Sequence, residues 1–302
     1  MNQNMMIGGL FALMAALLNA CIGIISLLLI NSGLSSEAIA FLKTVLAYIL
    51  VTLILIKIPN HQQKNIISTT TNSKRLLIKM SICAFLGIFI LFFFETMAYS
   101  FSYSSPANVV VILMSSAAVS ALFFGYLILN EKLFVSSILG AMLAIIGVSI
   151  ISWQGTINVP LLLNASIAGV GYGLFTVLIK KFKLNGGIYL TKYLLLFGSF
   201  YLFLPFIIKF DFDIAGKLNF DIFMGILFLA VLPTICGFYC TTKALKYLSA
   251  GNVQVTELSE PIFSALLTVI FFGTMPNNAF YIGALFIILG LVLINQLFKR
   301  HG

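Results

Sequence analysis

Asn108-Val-Val-Val-Ile-Leu-Met-Ser-Ser-Ala-Ala-Val-Ser-Ala-Leu122 returns half a chain later as Asn252-Val-Gln-Val-Thr-Glu-Leu-Ser-Glu-Pro-Ile-Phe-Ser-Ala-Leu266. The Asn-Val openings coincide, as do Ser115 with Ser259 and Ser120-Ala121-Leu122 with Ser264-Ala265-Leu266. Downstream, Gly140-Ala141 and Gly147 match Gly283-Ala284 and Gly290 with one residue deleted between them. Upstream, Phe41-Leu42-Lys43 stands opposite Leu190-Thr191-Lys192. Self-similarity at a fixed spacing marks a repeated structural unit, here of about 144–149 residues.

Both copies lie in long apolar runs. The 302 residues are 61% hydrophobic and 8% charged, and the mean hydropathy is +1.12. A soluble domain needs far more charge on its surface, so this surface faces lipid. A spanning helix takes about 20 apolar residues. Ten apolar segments of that kind follow, at 5–30, 36–56, 76–98, 106–129, 134–153, 160–179, 188–208, 222–242, 252–272 and 279–298. The runs are continuous and show no dyad alternation, which excludes a transmembrane β-barrel. Met5–Ile30 is too long for a signal-peptide core and has no basic stretch before it, so it reads as the first span. The expected fold is an all-α membrane protein. Each half, 1–153 and 154–302, holds five segments. An odd number forces the second half to enter the membrane upside down. Inverted repeats are the architecture of alternating-access carriers, with the solute site near the midplane between the halves.

Basic residues orient the chain. Most of the 17 Lys and Arg fall on one side: the polar Lys57–Lys79 linker, Lys132, the Lys180–Lys192 stretch, Lys243, Lys246 and Lys299-Arg300. The other side carries Lys209 and Lys217, beside Asp211, Asp213 and Asp221. Both termini are therefore expected in the cytoplasm of a bacterial inner (plasma) membrane. The net charge of +9 is accounted for by this asymmetry, and no nucleic-acid partner is expected. Cys21, Cys83, Cys236 and Cys240 all lie within segments, where they read as small apolar residues. No nucleotide loop, dinucleotide fingerprint or zinc signature appears, so no cofactor and no metal are expected.

The whole chain resembles the EamA-like branch of the drug/metabolite transporter superfamily. Leu129-Asn130-Glu131-Lys132-Leu133, closing the fourth segment, is similar to that family's Leu-Gly-Glu-Arg ending. Leu258-Ser259-Glu260-Pro261 in the ninth is similar to its Leu-Glu-Pro, and Ala244-Leu245-Lys246-Tyr247-Leu248-Ser249-Ala250 fits the pattern before it. The chain departs from the pattern at Gly273-Thr274-Met275, where a Glu is common, at Ser116-Ala117, and at Lys43, where Arg is frequent. The resemblance implies ten helices in two five-helix halves, and transport.

Ionisable groups inside a bilayer are costly and mark sites by default. Lys43, Glu95, Lys192, Glu257 and Glu260 lie well inside segments. Lys43 and Glu95 fall at similar depth, which allows an ion pair or a shared solute contact. Glu257 and Glu260, three residues apart, read as one face of the ninth segment. Pro261 frees a backbone carbonyl one turn back and reads as a hinge. Tyr99, Tyr172 and Tyr239, with Asn19, Asn108 and Asn252, are buried polar groups in need of partners. Phe92-Phe93-Phe94 beside Glu95 suit a cation through its attraction to an aromatic face. Glu131 at a segment end reads as an anchor, while Gly140, Gly147, Gly283 and Gly290 read as helix-packing or dimer surfaces.

The expected function is secondary transport of small polar metabolites, amino acids or related zwitterions and amines, with protons a candidate coupling ion. Membrane lipids are partners, and the protein is a monomer or homodimer. A membrane-embedded lipid or prenyl transferase would want an Asp-rich metal motif or an intramembrane His, yet His61 and His301 both lie in polar stretches. A non-transporting receptor would not need an inverted repeat.

Overall fold

Long apolar runs with no water to bond their backbone become helices, because only a helix satisfies its own N–H and C=O groups. The computed structural model describes residues 3–56, 73–101, 107–132, 135–152, 158–184, 187–209, 219–272, 275 and 278–297, and these are helical with short connections. The helices are α1 (Gln3–Asn19), α2 (Ile22–Asn31), α3 (Ser36–Ile56), α4 (Ser73–Ala84), α5 (Leu91–Ser100), α6 (Ala107–Leu129) and α7 (Val135–Ser152). They continue as α8 (Val159–Lys181), α9 (Ile188–Ile208), α10 (Phe220–Leu229), α11 (Phe238–Ala244), α12 (Ala250–Glu257), α13 (Glu260–Phe272) and α14 (Asn278–Leu297). Two π-helical turns, Phe85–Ile90 and Ala230–Gly237, join α4 to α5 and α10 to α11. Lys57, His61, Tyr103, Leu133, Asp211, Asp213, Lys217, Gly273, Thr274, Lys299, Arg300 and His301 lie outside the described residues.

Among the described residues all ten apolar segments of the sequence are helical, and seven are long and apolar enough to cross a membrane. Val135–Ile150 and Asn278–Leu293 are apolar but shorter. The ninth segment is divided in two. Its first turns carry Asn252, Gln254, Thr256, Glu257, Ser259 and Glu260, a polar run that no lipid-facing helix tolerates, and Val253, Gln254, Val255, Glu257 and Leu258 are fully enclosed by protein.

Four segments depart from uninterrupted helices, and in the third segment the departure is the Phe85–Ile90 π turn. The first breaks at Ala20-Cys21, between α1 and α2. The eighth loosens into its π turn where Pro233 removes a backbone donor. The ninth breaks at Leu258-Ser259 for the same reason: Pro261 sits in the first turn of α13, where a missing N–H costs nothing. There Leu258 N–H donates to Gln254 O at 3.2 Å and Ser259 N–H to Thr256 O at 3.1 Å, closing the end of α12.

Packing pairs segments that are distant in sequence. α6 lies along α8, α3 along α9, and α7 along α14. The first π turn rests on α8 and α9, whereas the second rests on α1 and α3. Glycines set the closest approaches. A Cβ on Gly147 would stand 2.4 Å from Gly283 O, and a Cβ on Gly290 would stand 2.4 Å from Gly140 O. The four glycines of the fifth and tenth segments thus serve the contact between those two segments within one chain. Large apolar residues such as Val135, Phe200 and Ile270 are more than 70% exposed on the outer faces, as lipid contact requires.

Gly147→Leu or Gly290→Leu must force backbone from backbone and is expected to cost about 1–3 kcal/mol. Gly9→Leu, with nothing within 4 Å of its Cβ position, should leave stability within about 0.5 kcal/mol. Thermal unfolding in detergent separates them, and equal melting temperatures for all three would refute this account of the α7–α14 contact.

Candidate functional site

Side chains from five segments converge where the broken helices meet. Lys43 of α3 is 1% exposed, and its Nζ stands 3.8 Å from Glu95 Oε2 of α5. That is close enough for strong Coulomb attraction and too long for a hydrogen bond. The same ammonium lies 4.1 Å above the Phe92 ring. The aromatic face beside Glu95 therefore already holds a cation, and it is the protein's own. Phe92 meets Phe238 edge-to-face at 5.4 Å, and Phe238 lies 6.3 Å from the Tyr172 ring.

Glu257 is fully buried and fully satisfied. Tyr172 Oη donates to its Oε2 at 2.7 Å, Thr241 Oγ1 to its Oε1 at 2.7 Å, and Gln254 Nε2 to Oε2 at 3.3 Å. The network ties α8, α11 and α12 into one unit. Removing any donor leaves a buried polar group unmatched.

Glu260 is different. It is 3% exposed, and its Oε2 has no hydrogen-bond partner. It lies within electrostatic range of both Glu95 and Glu257. Glu95 Oε2 likewise accepts no hydrogen bond. The helix break explains why two glutamates three residues apart have such different company. They do not share the face of one continuous helix. Glu257 ends α12 and turns to the Tyr172–Thr241 network, while Glu260 begins α13.

A narrow cavity of about 20 Å³ opens among these groups, with Asn19, Lys43, Glu95, Tyr172, Pro233 and Thr234 on its walls. It has room for about one water and none for a metabolite. Tyr99, 1% exposed, is buried beside it on the helix that carries Glu95. The structure thus gathers Lys43, Glu95, Glu257, Glu260, Tyr99, Tyr172 and Asn19. It leaves four candidates aside. Lys192 is half-buried near the start of α9, and Tyr239 meets Phe11 edge-to-face at 6.4 Å with Lys243 Nζ 5.4 Å from its ring. Asn252 receives Thr256 Oγ1 on its carbonyl, and Asn108 lies half-buried at the start of α6. Among the described residues no ion pair joins Lys192 to a carboxylate.

Thr241 and Gln254 were not singled out in the sequence. Gln254 had a signal, lying one turn before Glu257 in a polar run. Thr241 had none, because a lone threonine in an apolar segment is ordinary.

Each end of the bundle carries a tie. At one end, Lys180 Nζ stands 3.3 Å from Glu131 Oε1 and donates to Leu248 O at 2.6 Å, while Ala250 N–H donates to Glu131 Oε1 at 3.3 Å. At the other, Lys209 Nζ pairs with the buried Glu37 at 2.7 Å. Asn158 Nδ2 donates to Phe101 O at 3.3 Å on that same end.

Described residues that are helical throughout, with seven helices long and apolar enough to cross a membrane and charges enclosed at the centre, define a polytopic membrane protein. The sequence matches the EamA-like transporter family over residues 6–153 and again over 160–296. The chain belongs to that family and is a membrane transporter. It is similar to an uncharacterized transporter of Clostridium kluyveri, 24% identical over 223 residues that cover 71% of this chain and 70% of that one. A crystal structure shares the fold, with a TM-score of 0.75 at 17% identity over 97% of this chain and 98% of the other.

Tyr172→Phe and Glu257→Gln are each expected to destabilise by about 1–3 kcal/mol, since each leaves a buried partner unmatched. Their double variant should fall short of the sum by at least about 0.5 kcal/mol. Strict additivity of the melting shifts would show that the bond does not hold α8 to α12.

Proposed function

We propose that the protein is a secondary carrier of small zwitterionic or amine metabolites, amino acids among them, working by alternating access between two inverted halves, 1–153 and 154–302. The observation that carries this reading is the central pair of carboxylate oxygens without a hydrogen bond, Glu95 Oε2 and Glu260 Oε2, the first of them only loosely paired with the Lys43 ammonium. A solute carrying an ammonium and a carboxylate matches that set. Its ammonium would take the Glu95 and Glu260 oxygens, and its carboxylate would face Lys43. With three buried glutamates around one lysine, the cluster also calls for a further positive charge whenever the site is empty. A proton on Glu260 would supply it, and exchange of that proton against the solute would couple transport to the proton gradient.

Several features support the inverted architecture. The two π turns lie about 145 residues apart, in the third and eighth segments, and their packing partners correspond: α8 and α9 for one, α1 and α3 for the other. The Gly147–Gly283 and Gly290–Gly140 approaches are reciprocal, as a two-fold relation demands. The family match also falls once on each half. The end-to-end ties agree with alternating spans, because Glu131, Lys180 and Leu248 meet at one end and Glu37 meets Lys209 at the other. The concentration of basic residues at the Lys180 end supports cytoplasmic termini by the positive-inside rule. A cavity of about 20 Å³ then corresponds to a closed stage of the cycle.

The test is a thermal-shift panel of amino acids, amines and organic acids on purified protein, followed by uptake of the stabilising compound into proteoliposomes. A zwitterion or amine should raise the melting temperature, while a panel answered only by anions would overturn the solute class. Glu260→Gln is expected to lower uptake at least tenfold and leave the melting temperature without ligand near the parent value. Full uptake by that variant would remove Glu260 from the mechanism.

A further inference from the structure

The cavity is not the largest space in the molecule. A groove of about 470 Å³ runs between α2 and α10, walled by Ile25, Leu28, Leu29, Ile222 and Gly225. Only its mouth is polar, where Ser32, Asn219 and Asp221 stand. Asn219 is occupied, its side chain accepting the Ile222 N–H at 2.9 Å as the cap of α10. Asp221 is exposed and has no ion-pair partner among the described residues.

Groove and cavity lie in one seam. The cavity touches the first segment at Asn19 and Ile22 and the eighth at Pro233, Thr234 and Phe238. The groove begins one helical turn further along the first segment, at Ile25, and covers the eighth up to Phe228. Both helices of the seam are interrupted at the depth of the cavity, just beyond the inner end of the groove. The first breaks at Ala20-Cys21, and the eighth takes its π turn at Ala230–Gly237. Asn19 Oδ1 stands 2.6 Å from where a Cβ on Gly237 would be, so the two interruptions touch. Breaks of this kind let one half of a helix move while the other stays.

The opposite end of the seam is closed and has no such freedom. A Cβ on Gly8 would meet Leu248 and Tyr247 at 2.8 Å, and Leu248 O is in turn held by Lys180. At the Asp221 end the ties, Lys209–Glu37 and Asn158–Phe101, lie on other segments, so the seam between the first and eighth segments is less restrained there than at the Lys180 end.

We propose that the α2–α10 groove is the vestibule of the central site, and that α2 swinging from α10 about the Ala20-Cys21 break joins it to the cavity. Its occupant is the carried solute, with an amine end that meets Asp221 at the mouth and the Glu95–Glu260 oxygens at the bottom. Carboxylates at both ends of an apolar passage suit such a solute. This rests on the central cluster being the solute site, so its test uses no solute.

Cys21, between the cavity residues Asn19 and Ile22, is a native reporter. A membrane-impermeant sulfonated maleimide is added to right-side-out and to inverted vesicles, and the Cys21 peptide is followed by mass. Labelling is expected from the Asp221 face. Leu29→Cys with Gly225→Cys closes the groove by a disulfide, since a Cβ on Gly225 would stand 3.5 Å from Leu29 Cγ. The oxidised pair should slow Cys21 labelling at least tenfold relative to the reduced pair, with the cross-link itself confirmed by intact mass. Gly225→Phe, which fills the groove with no oxidation step, should slow labelling in the same direction. Equal labelling with the groove open, cross-linked and filled would overturn the vestibule and leave the groove to a lipid chain. So would a Cys21 that labels only from the Lys180 face, or from neither. A failed solute panel with groove-dependent labelling would instead remove the zwitterion reading and keep the path.

Discussion

Inside a bilayer a charge has no water to turn to, and every polar group must find its partner within the chain. The rest of this structure follows from how that demand is met at Glu257, Glu95 and Glu260. Glu257 meets it completely, with three donors from three helices. Its network is a structural knot that fastens the first half of segment nine to segments six and eight. Lys43 and Glu95 meet it by charge alone, at a distance that leaves the pair loosely bound. Glu260 leaves one oxygen unmatched. The cost of burying an unmatched carboxylate is several kcal/mol in general. A protein keeps such a group where something else completes it during function.

Backbone irregularity clusters around those charges. The break at Ala20-Cys21, the break at Leu258-Ser259 and the π turn at Ala230–Gly237 all border the cavity or the glutamates beside it. Irregular backbone at membrane depth survives only where protein or a polar cavity covers it. Here enclosure is also supplied by glycine. Gly87, Gly171, Gly198 and Gly237 bring neighbouring helices to distances at which a methyl group would collide with Phe175, Ile90, Ile88 and Asn19. The outer faces of the bundle show the contrary pattern, with regular helices and large apolar side chains turned to lipid.

How much of this could be read in the sequence depends on the range of the interaction. Hydropathy is a local property, and the ten apolar segments, their approximate limits and the absence of strands among the described residues all match it. The meeting of Lys43 with Glu95 follows from depth, because two charges equally far along neighbouring segments are drawn together. Pro261 announced an interruption, and its consequence was underestimated. A bend was expected in one helix, whereas two helices form and Glu257 and Glu260 part company. The first π turn was illegible. Phe85-Leu-Gly-Ile-Phe-Ile90 has no residue that forbids an ordinary α-helix, and the turn arises from packing against α8 and α9. The bond from Tyr172 to Glu257 was equally hidden, since it joins residues 85 apart in sequence and neither side chain names its partner.

The two ends of the bundle are unlike, and that difference carries the mechanical argument further than the central charges do. At the Lys180 end, Glu131 belongs to the first half of the chain, while Lys180, Leu248 and Ala250 belong to the second. Any motion that parts the halves there must break the Glu131–Lys180 ion pair and the Ala250 N–H bond to Glu131 together. The counterpart of Glu131 in the second half falls near Met275, a residue that cannot form such a tie. At the far end the halves are joined by Asn158 Nδ2 on Phe101 O and by Lys209 with Glu37, through a lysine that is 59% exposed to its surroundings. A repeat that is similar in backbone is thus dissimilar in its fastenings. Two inverted halves with identical ties would have no preference between opening one way and the other. The difference is one of chemistry: a half-buried ion pair backed by a backbone donor fastens one end, and an exposed lysine on a buried glutamate fastens the other.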